Sequence, residues 1–182
     1  MAILNYKLFE HKNQQLWIGG GIKLPTGKFE IDANDPDIAS AANNQLGSGS
    51  TDFLLNAAHN LRINKWAINT QALYKINSTN KEHYRFGNRF TASSLVSYTL
   101  VTKAVVIRPN AGMMFEHTEK SQLSDDKISL TGGHILQGIA GVEFNFQKIS
   151  FGMNVQLPVA QYFAEDQTKQ KVKAMAHVSF AF

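Results

Sequence analysis

Four sets of residues in this chain have side chains that could do chemistry, and for three of them the spacing is wrong. Gly19, Gly20 and Gly21 followed by Thr26, Gly27 and Lys28 invite comparison with a phosphate-binding loop. Such a loop needs a glycine five positions before the Gly-Lys pair and a hydroxyl after it, and Ile22 and Phe29 stand there instead. Glycines in a run of this kind mark a bend where backbones approach closely. Asp32, Asn34, Asp35 and Asp37 offer oxygen ligands for calcium, but EF-hand spacing is absent and Pro36 interrupts them, so they read as a solvated acidic loop. His117, His134, Asp125 and Asp126 hold the side chains of a hydrolytic site with no spacing rule to join them, so no enzyme activity is expected. The chain has no cysteine, which removes thiolate zinc sites and thiol nucleophiles. No metal and no cofactor is expected.

The fourth set is the informative one. Lys23, Asp52, Arg62, Lys75, Arg89, Arg108, Glu116, Glu143 and Lys173 fall at alternate positions of otherwise apolar segments, together with Asn56, Asn69, Gln71, Asn110, Asn145, Asn154, Gln156 and His177. Rings of such side chains in a pore form a hydrated path and select solutes by charge. The competing reading is a network of ion pairs filling a narrow barrel, with Arg89 and Arg108 set against Glu143 and Glu116.

The elements that must hold these residues have a period of two. In Lys171 to Phe182, Val172, Ala174, Ala176, Val178, Phe180 and Phe182 share one face and Lys173, Met175, His177 and Ser179 the other. Ile149, Phe151, Met153, Val155, Leu157 and Val159 oppose Ser150, Gly152, Asn154 and Gln156; Leu136 to Phe146 alternate in the same way. Similar segments run at about 2–10, 15–25, 52–63, 66–77, 86–100 and 104–117, which makes nine strands and no helix. Many reach ten residues, the length a tilted membrane-crossing strand needs (roughly 9 to 11). Tight turns near residues 11–14, 63–66, 100–104 and 147–149 alternate with longer polar loops at 27–50, 78–85, 118–133 and 164–170. That asymmetry predicts an all-β antiparallel meander, a single transmembrane β-barrel domain over residues 1–182. The apolar rows would face lipid, because a charged side chain there costs roughly 2 to 4 kcal/mol near the midplane.

Composition agrees. The chain is 43% hydrophobic and 18% charged, which argues against disorder, and no stretch approaches the roughly 18 to 20 apolar residues of a spanning helix. Its net charge of +4 comes from scattered basic residues, so no nucleic-acid partner is expected. Trp66, Phe146 and Phe182 near the short turns, and Tyr74, Phe86, Phe115 and Phe163 near the long loops, predict two aromatic girdles. His59 lies on the apolar face with Ala57, Leu61 and Ile63 and reads as an interfacial residue without chemistry. Nine antiparallel strands leave the first and last running in the same direction, so a simple closed meander is not expected from this chain alone. No secretory signal follows Met1, and the expectation is that Met1 lies inside a longer gene product whose first strands are missing.

At GGGIKLPTGKFE (Gly19 to Glu30), LGSGSTDFLL (Leu46 to Leu55) and YRFGNRF (Tyr84 to Phe90), the chain resembles the transporter-like outer-membrane barrels grouped under the meta-pathway of phenol degradation. These are common in Bacteroidetes and are related to fatty-acid-transporter-type channels. Asp52 matches the acidic residue that opens a strand after a Gly-Ser-rich stretch in such proteins. The resemblance implies a Gram-negative outer-membrane location and contact with outer-membrane lipid. It also implies passage of a small-molecule solute, with hydrophobic or aromatic compounds as candidates, and a C-terminal Phe182 read by the barrel assembly machinery. The polar interior conflicts with an apolar solute. Two rival readings stand beside transport: a soluble ligand-binding barrel with an apolar interior, and a structural or adhesive outer-membrane barrel with binding loops.

Overall fold

A computed structural model describes residues 1–32, 37–163 and 169–181. The chain is an antiparallel meander: β1 (Ala2–His11), β2 (Gln14–Lys23), helix α1 (Ile38–Asn43), β3 (Asp52–Ile63), β4 (Trp66–Ile76), β5 (Tyr84–Arg85), β6 (Arg89–Tyr98), β7 (Leu100–Val101), β8 (Val106–Thr118), β9 (Gln122–Leu123), β10 (Asp126–Lys127), β11 (Gly133–Asn145), β12 (Ile149–Phe163) and β13 (Lys173–Phe180). The nine long strands, 8 to 15 residues each, stand in one sheet in the order β1-β2-β3-β4-β6-β8-β11-β12-β13, with β7 beside β8. Each long strand therefore lies beside the one before it in the chain, joined alternately by a short turn and a long loop. Two of these turns place Lys12 and Asn64 in the left-handed region (φ 37° and 55°), the conformation that lets a tight hairpin follow the strand twist. The sheet does not close: among the described residues β1 pairs only with β2, and β13 only with β12.

Cross-strand register settles which side chains share a face. Lys23 stands opposite Asp52, Arg62 opposite Ala67, Lys75 opposite Arg89, Arg89 opposite Thr118, Arg108 opposite Glu143, and Gln156 opposite Lys173. Counting in twos along each strand, all nine charged residues singled out above fall on one face. That face is concave. Lys23 on β2 and Phe163 on β12 line one cavity, although their strands are six places apart and would lie about 29 Å apart in a flat sheet. The opposite, convex face is apolar and exposed: Val155, Leu157 and Val159 are 41, 50 and 60% accessible, whereas Asn154 and Gln156, which alternate with this row, are partly buried. A Cβ on Gly19 would run into the amides of Asn5 and Asn56, so the glycine run of β2 is where concave-face side chains from both neighbours fill in.

The long loops are not simply polar connections. Residues 24–32, 37–51, 77–88 and 119–132 fold over one end of the sheet as a cap with its own small sheet, β10-β9-β5. Phe29, Ala42 and Tyr84 are buried at its centre and Ile31, Ile38, Phe86, Leu123 and Ile128 pack around them. The Phe29, Tyr84 and Phe86 rings lie 4.9 to 5.8 Å apart. The expectation of no helix is corrected by α1. Its six residues, IASAAN, are too few for a helical period to show, and burial of Ala39 and Ala42 against the cap holds it rather than propensity alone. The strand expected from residue 86 starts at Arg89, because Tyr84 to Asn88 belong to the cap.

Phe29→Ala or Tyr84→Ala should cost the cap ~3–5 kcal/mol, the usual range for emptying a buried aromatic site. Limited proteolysis is expected to cut such variants within residues 24–51 while the long strands stay protected. Burial pushes the Tyr84 phenol above its ordinary value, with the Ser121 hydroxyl opposing the shift. A raised folded value means this contribution is complete below the unfolded value near 10 and is lost as pH rises through the folded one. Cap proteolysis should accordingly accelerate above about pH 10 in the native chain and lose that dependence in Tyr84→Phe.

Candidate functional site on the concave face

The node of the concave face is Asp52, the first residue of β3 and fully buried. Its Oδ2 lies 3.0 Å from Lys23 Nζ on β2 and 3.1 Å from Lys75 Nζ on β4. Ser50 Oγ donates to Oδ1 at 2.7 Å, Ser48 Oγ to Oδ2 at 3.3 Å, and the Ser78 amide to Oδ1 at 3.4 Å; Lys23 also donates to Ser48. A buried carboxylate demands such company, since desolvating its charge is offset only by opposite charge and a filled hydrogen-bond shell. Sequence reasoning missed Ser48 and Ser50, which fall in the stretch read as a long polar loop. They stand at i−4 and i−2 from Asp52, a spacing of two that was there to be seen.

The chain carries this node inside the segment LGSGSTDFLL, facing the strand that ends in GGGIKLPTG. Residues 2–170 match the family model described as "Putative MetA-pathway of phenol degradation". The chain belongs to that family. No curated protein matches it significantly. The family description names a pathway and assigns no role to any residue, so what the site can do rests on its geometry.

In this member of the family four of the six other candidates are paired along the wall. Arg89 Nε lies 3.9 Å from Glu116 Oε1 across β6 and β8, and Arg108 Nη1 lies 3.4 Å from Glu143 Oε1 across β8 and β11. Of the pairings open in the sequence, the register selects Arg89 with Glu116 and Arg108 with Glu143. Arg62 and Lys173 face the same way with no ion pair among the described residues. Six cations against three carboxylates leave these nine residues with a net charge of 6 − 3 = +3. Arg62 lines two cavities of about 460 and 450 Å³ at the short-turn end, and a third of about 450 Å³ lies under the cap.

The concave face also holds buried polar atoms that no protein group satisfies: Asn56 Oδ1, Gln137 Nε2, Asn145 Nδ2 and Asn154 Oδ1. Register puts all four residues inward. Because a buried polar atom without a partner is costly, these positions are suited to water.

The aromatic expectation holds in part. Trp66 packs on Tyr98 at 4.7 Å near the short turns, and Tyr74 and Phe115 are on the convex face near the cap. In register with Tyr74 run Phe90, His117, His134 and Tyr162, the last two stacked at 5.5 Å. Trp66 and Tyr74 are eight positions apart, about 26 Å along the strand. Phe86 is corrected to the cap core and Phe163 to the concave face. Phe163 turns inward because β12 carries a bulge: Pro158 pairs with Gln137 and Ala160 with Leu136, so Val159 is an extra residue and the parity beyond it reverses. His117 and His134 point outward and are not joined to Asp125 and Asp126, which lie at the turn into β10 in the cap; among the described residues no three His, Asp or Glu could hold a metal ion. His59 is on the convex face, 3.3 Å from Gln14 Oε1. Phe182, Asn34 and Asp35 lie outside the described residues.

Proposed function

We propose that this chain forms the wall of a bacterial outer-membrane β-barrel that passes small molecules along its polar concave face. The observation that carries this reading is the segregation of the two faces. Every one of the nine charged candidates faces inward, while the outward rows are exposed and apolar between aromatic positions about 26 Å apart along the strand, which at the usual tilt of about 35–45° spans about 18 to 21 Å of membrane height, within the roughly 25 Å apolar band of outer-membrane barrels. Unsatisfied inward amides support a wet interior. A soluble ligand-binding barrel would have its apolar side chains inside, and the opposite arrangement argues against it. Membership of a phenol-degradation family is compatible with aromatic compounds as cargo.

The experiment is liposome swelling with the full-length gene product incorporated after heat-modifiable gel migration shows it folded. Passage of arabinose supports the reading; folded protein in the bilayer with no swelling by any small solute overturns it. The folded cap favours a second reading, a barrel whose loops present a rigid binding surface, and that reading predicts no swelling at all.

A further inference from the structure

The cavity under the cap has a specific chemical make-up. Its charged lining residues are Lys23, Lys75, Arg89 and Glu116, and Asp52 is buried directly behind the two lysines. Three cations against two carboxylates leave 3 − 2 = +1, one positive charge without a partner in the site. Arg89 is the cation least committed to its neighbour: the Glu116 contact is 3.9 Å and the Arg89 side chain is 54% exposed. Beside the cations sits Asn77, 95% buried. Its Nδ2 donates to the Gly87 carbonyl at 2.6 Å, whereas its Oδ1 is a buried acceptor with no donor. Phe86 from the cap and Phe163 from β12 supply apolar walls, and the volume is about 450 Å³.

We propose that this cavity binds a small aromatic monocarboxylate carrying one hydroxyl. The carboxylate meets the uncompensated positive charge at Arg89 and the lysines, the hydroxyl donates to Asn77 Oδ1, and the ring lies against Phe86 and Phe163. Each element of the ligand answers a separate feature. A neutral hydrocarbon leaves the charge and the Asn77 acceptor unmet, and a dianion brings one charge too many beside Glu116. The inference rests on the reading of the concave face as a solute path and names the solute class selected at its capped end.

The test is titration calorimetry on the intact folded chain in detergent, with 4-hydroxybenzoate, benzoate, 4-hydroxybenzyl alcohol and phthalate as probes. 4-Hydroxybenzoate is expected to bind tightest, with benzoate about tenfold weaker for want of one hydrogen bond and the uncharged alcohol weaker still. Asn77→Leu should bring 4-hydroxybenzoate down to the benzoate level and leave benzoate unchanged. Arg89→Gln, at a side chain more than half exposed, should weaken both carboxylates about tenfold. Equal affinity for all four probes, no binding by the folded chain, or an Arg89→Gln variant that binds as the native chain does would each overturn the proposal. Arabinose swelling separates the two readings: 4-hydroxybenzoate binding without swelling sinks the passage reading and keeps this site, and swelling without binding sinks this site alone.

Discussion

Asp52→Ala is expected to destabilise the folded chain by ~3 kcal/mol, the low end of the ~3–5 kcal/mol usual for breaking a buried ion pair. Two lysines would lose their shared counter-ion, and Ser48, Ser50 and the Ser78 amide would lose their acceptor. The low end applies because both lysine side chains are 28% exposed and can turn their charge partly to solvent. Lys23→Met or Lys75→Met should each cost less, ~1 kcal/mol, since Asp52 keeps the other cation. The double variant should cost more than the sum, as it strands the carboxylate. Urea unfolding of the refolded chain in detergent, followed by the loss of the fast-migrating folded band, reads all four. An Asp52→Ala variant within ~0.5 kcal/mol of the native chain would show that the node does not hold the rim together. The location matters because the node ties β2, β3 and β4 to the Gly-Ser stretch under the cap.

Arginine at Val155 or Phe144 should prevent assembly into a membrane, whereas arginine at Asn154 should be tolerated. Val155 is mid-strand on β12 and paired with Ala140 and Ala174 on the convex face, and Phe144 is on the same face opposite Phe151. In the proposed membrane setting a guanidinium at Val155 meets hydrocarbon at roughly 2–4 kcal/mol near the midplane, whereas one at Phe144, next to the short turn after β11, costs less; the residues beside either offer no counter-charge. Asn154 is one residue away, opposite Gly141 on the polar concave face, where a guanidinium does not meet hydrocarbon. Because strand residues alternate faces, a one-position change reverses the environment completely, so the contrast isolates facing from local packing. Heat-modifiable migration after refolding into lipid vesicles reads the result. Three variants that fold equally well would mean the lipid-facing assignment is wrong, and with it the proposed membrane location.

How much of the molecule is legible in its sequence follows from how local each signal is. Alternation within one strand needs only neighbours two residues apart, so the nine long strands, their short turns and the inward set from Lys23 to Lys173 were all legible. Partner choice was not. Arg89 and Arg108 could each be matched with Glu116 or Glu143 until cross-strand register put Arg89 beside β8 and Arg108 opposite Glu143. Phe163 was misplaced for a related reason: a single extra residue at Val159 reverses parity, and the one local sign of it is Pro158, since a proline inside a paired strand favours a bulge without fixing where the extra residue falls. The cap was the larger omission. Phe29, Tyr84 and Leu123 come from three separate loops, and their burial exists only once those loops meet.

The amino-acid sequence by itself determined the strand architecture and which side chains share a face, because a two-residue repeat is a property of the chain's own geometry. Tertiary structure alone decided which charges neutralise one another, that Asn77 is left with an unmet acceptor, and that the loops fold into a cap, because those outcomes depend on contacts between segments tens of residues apart.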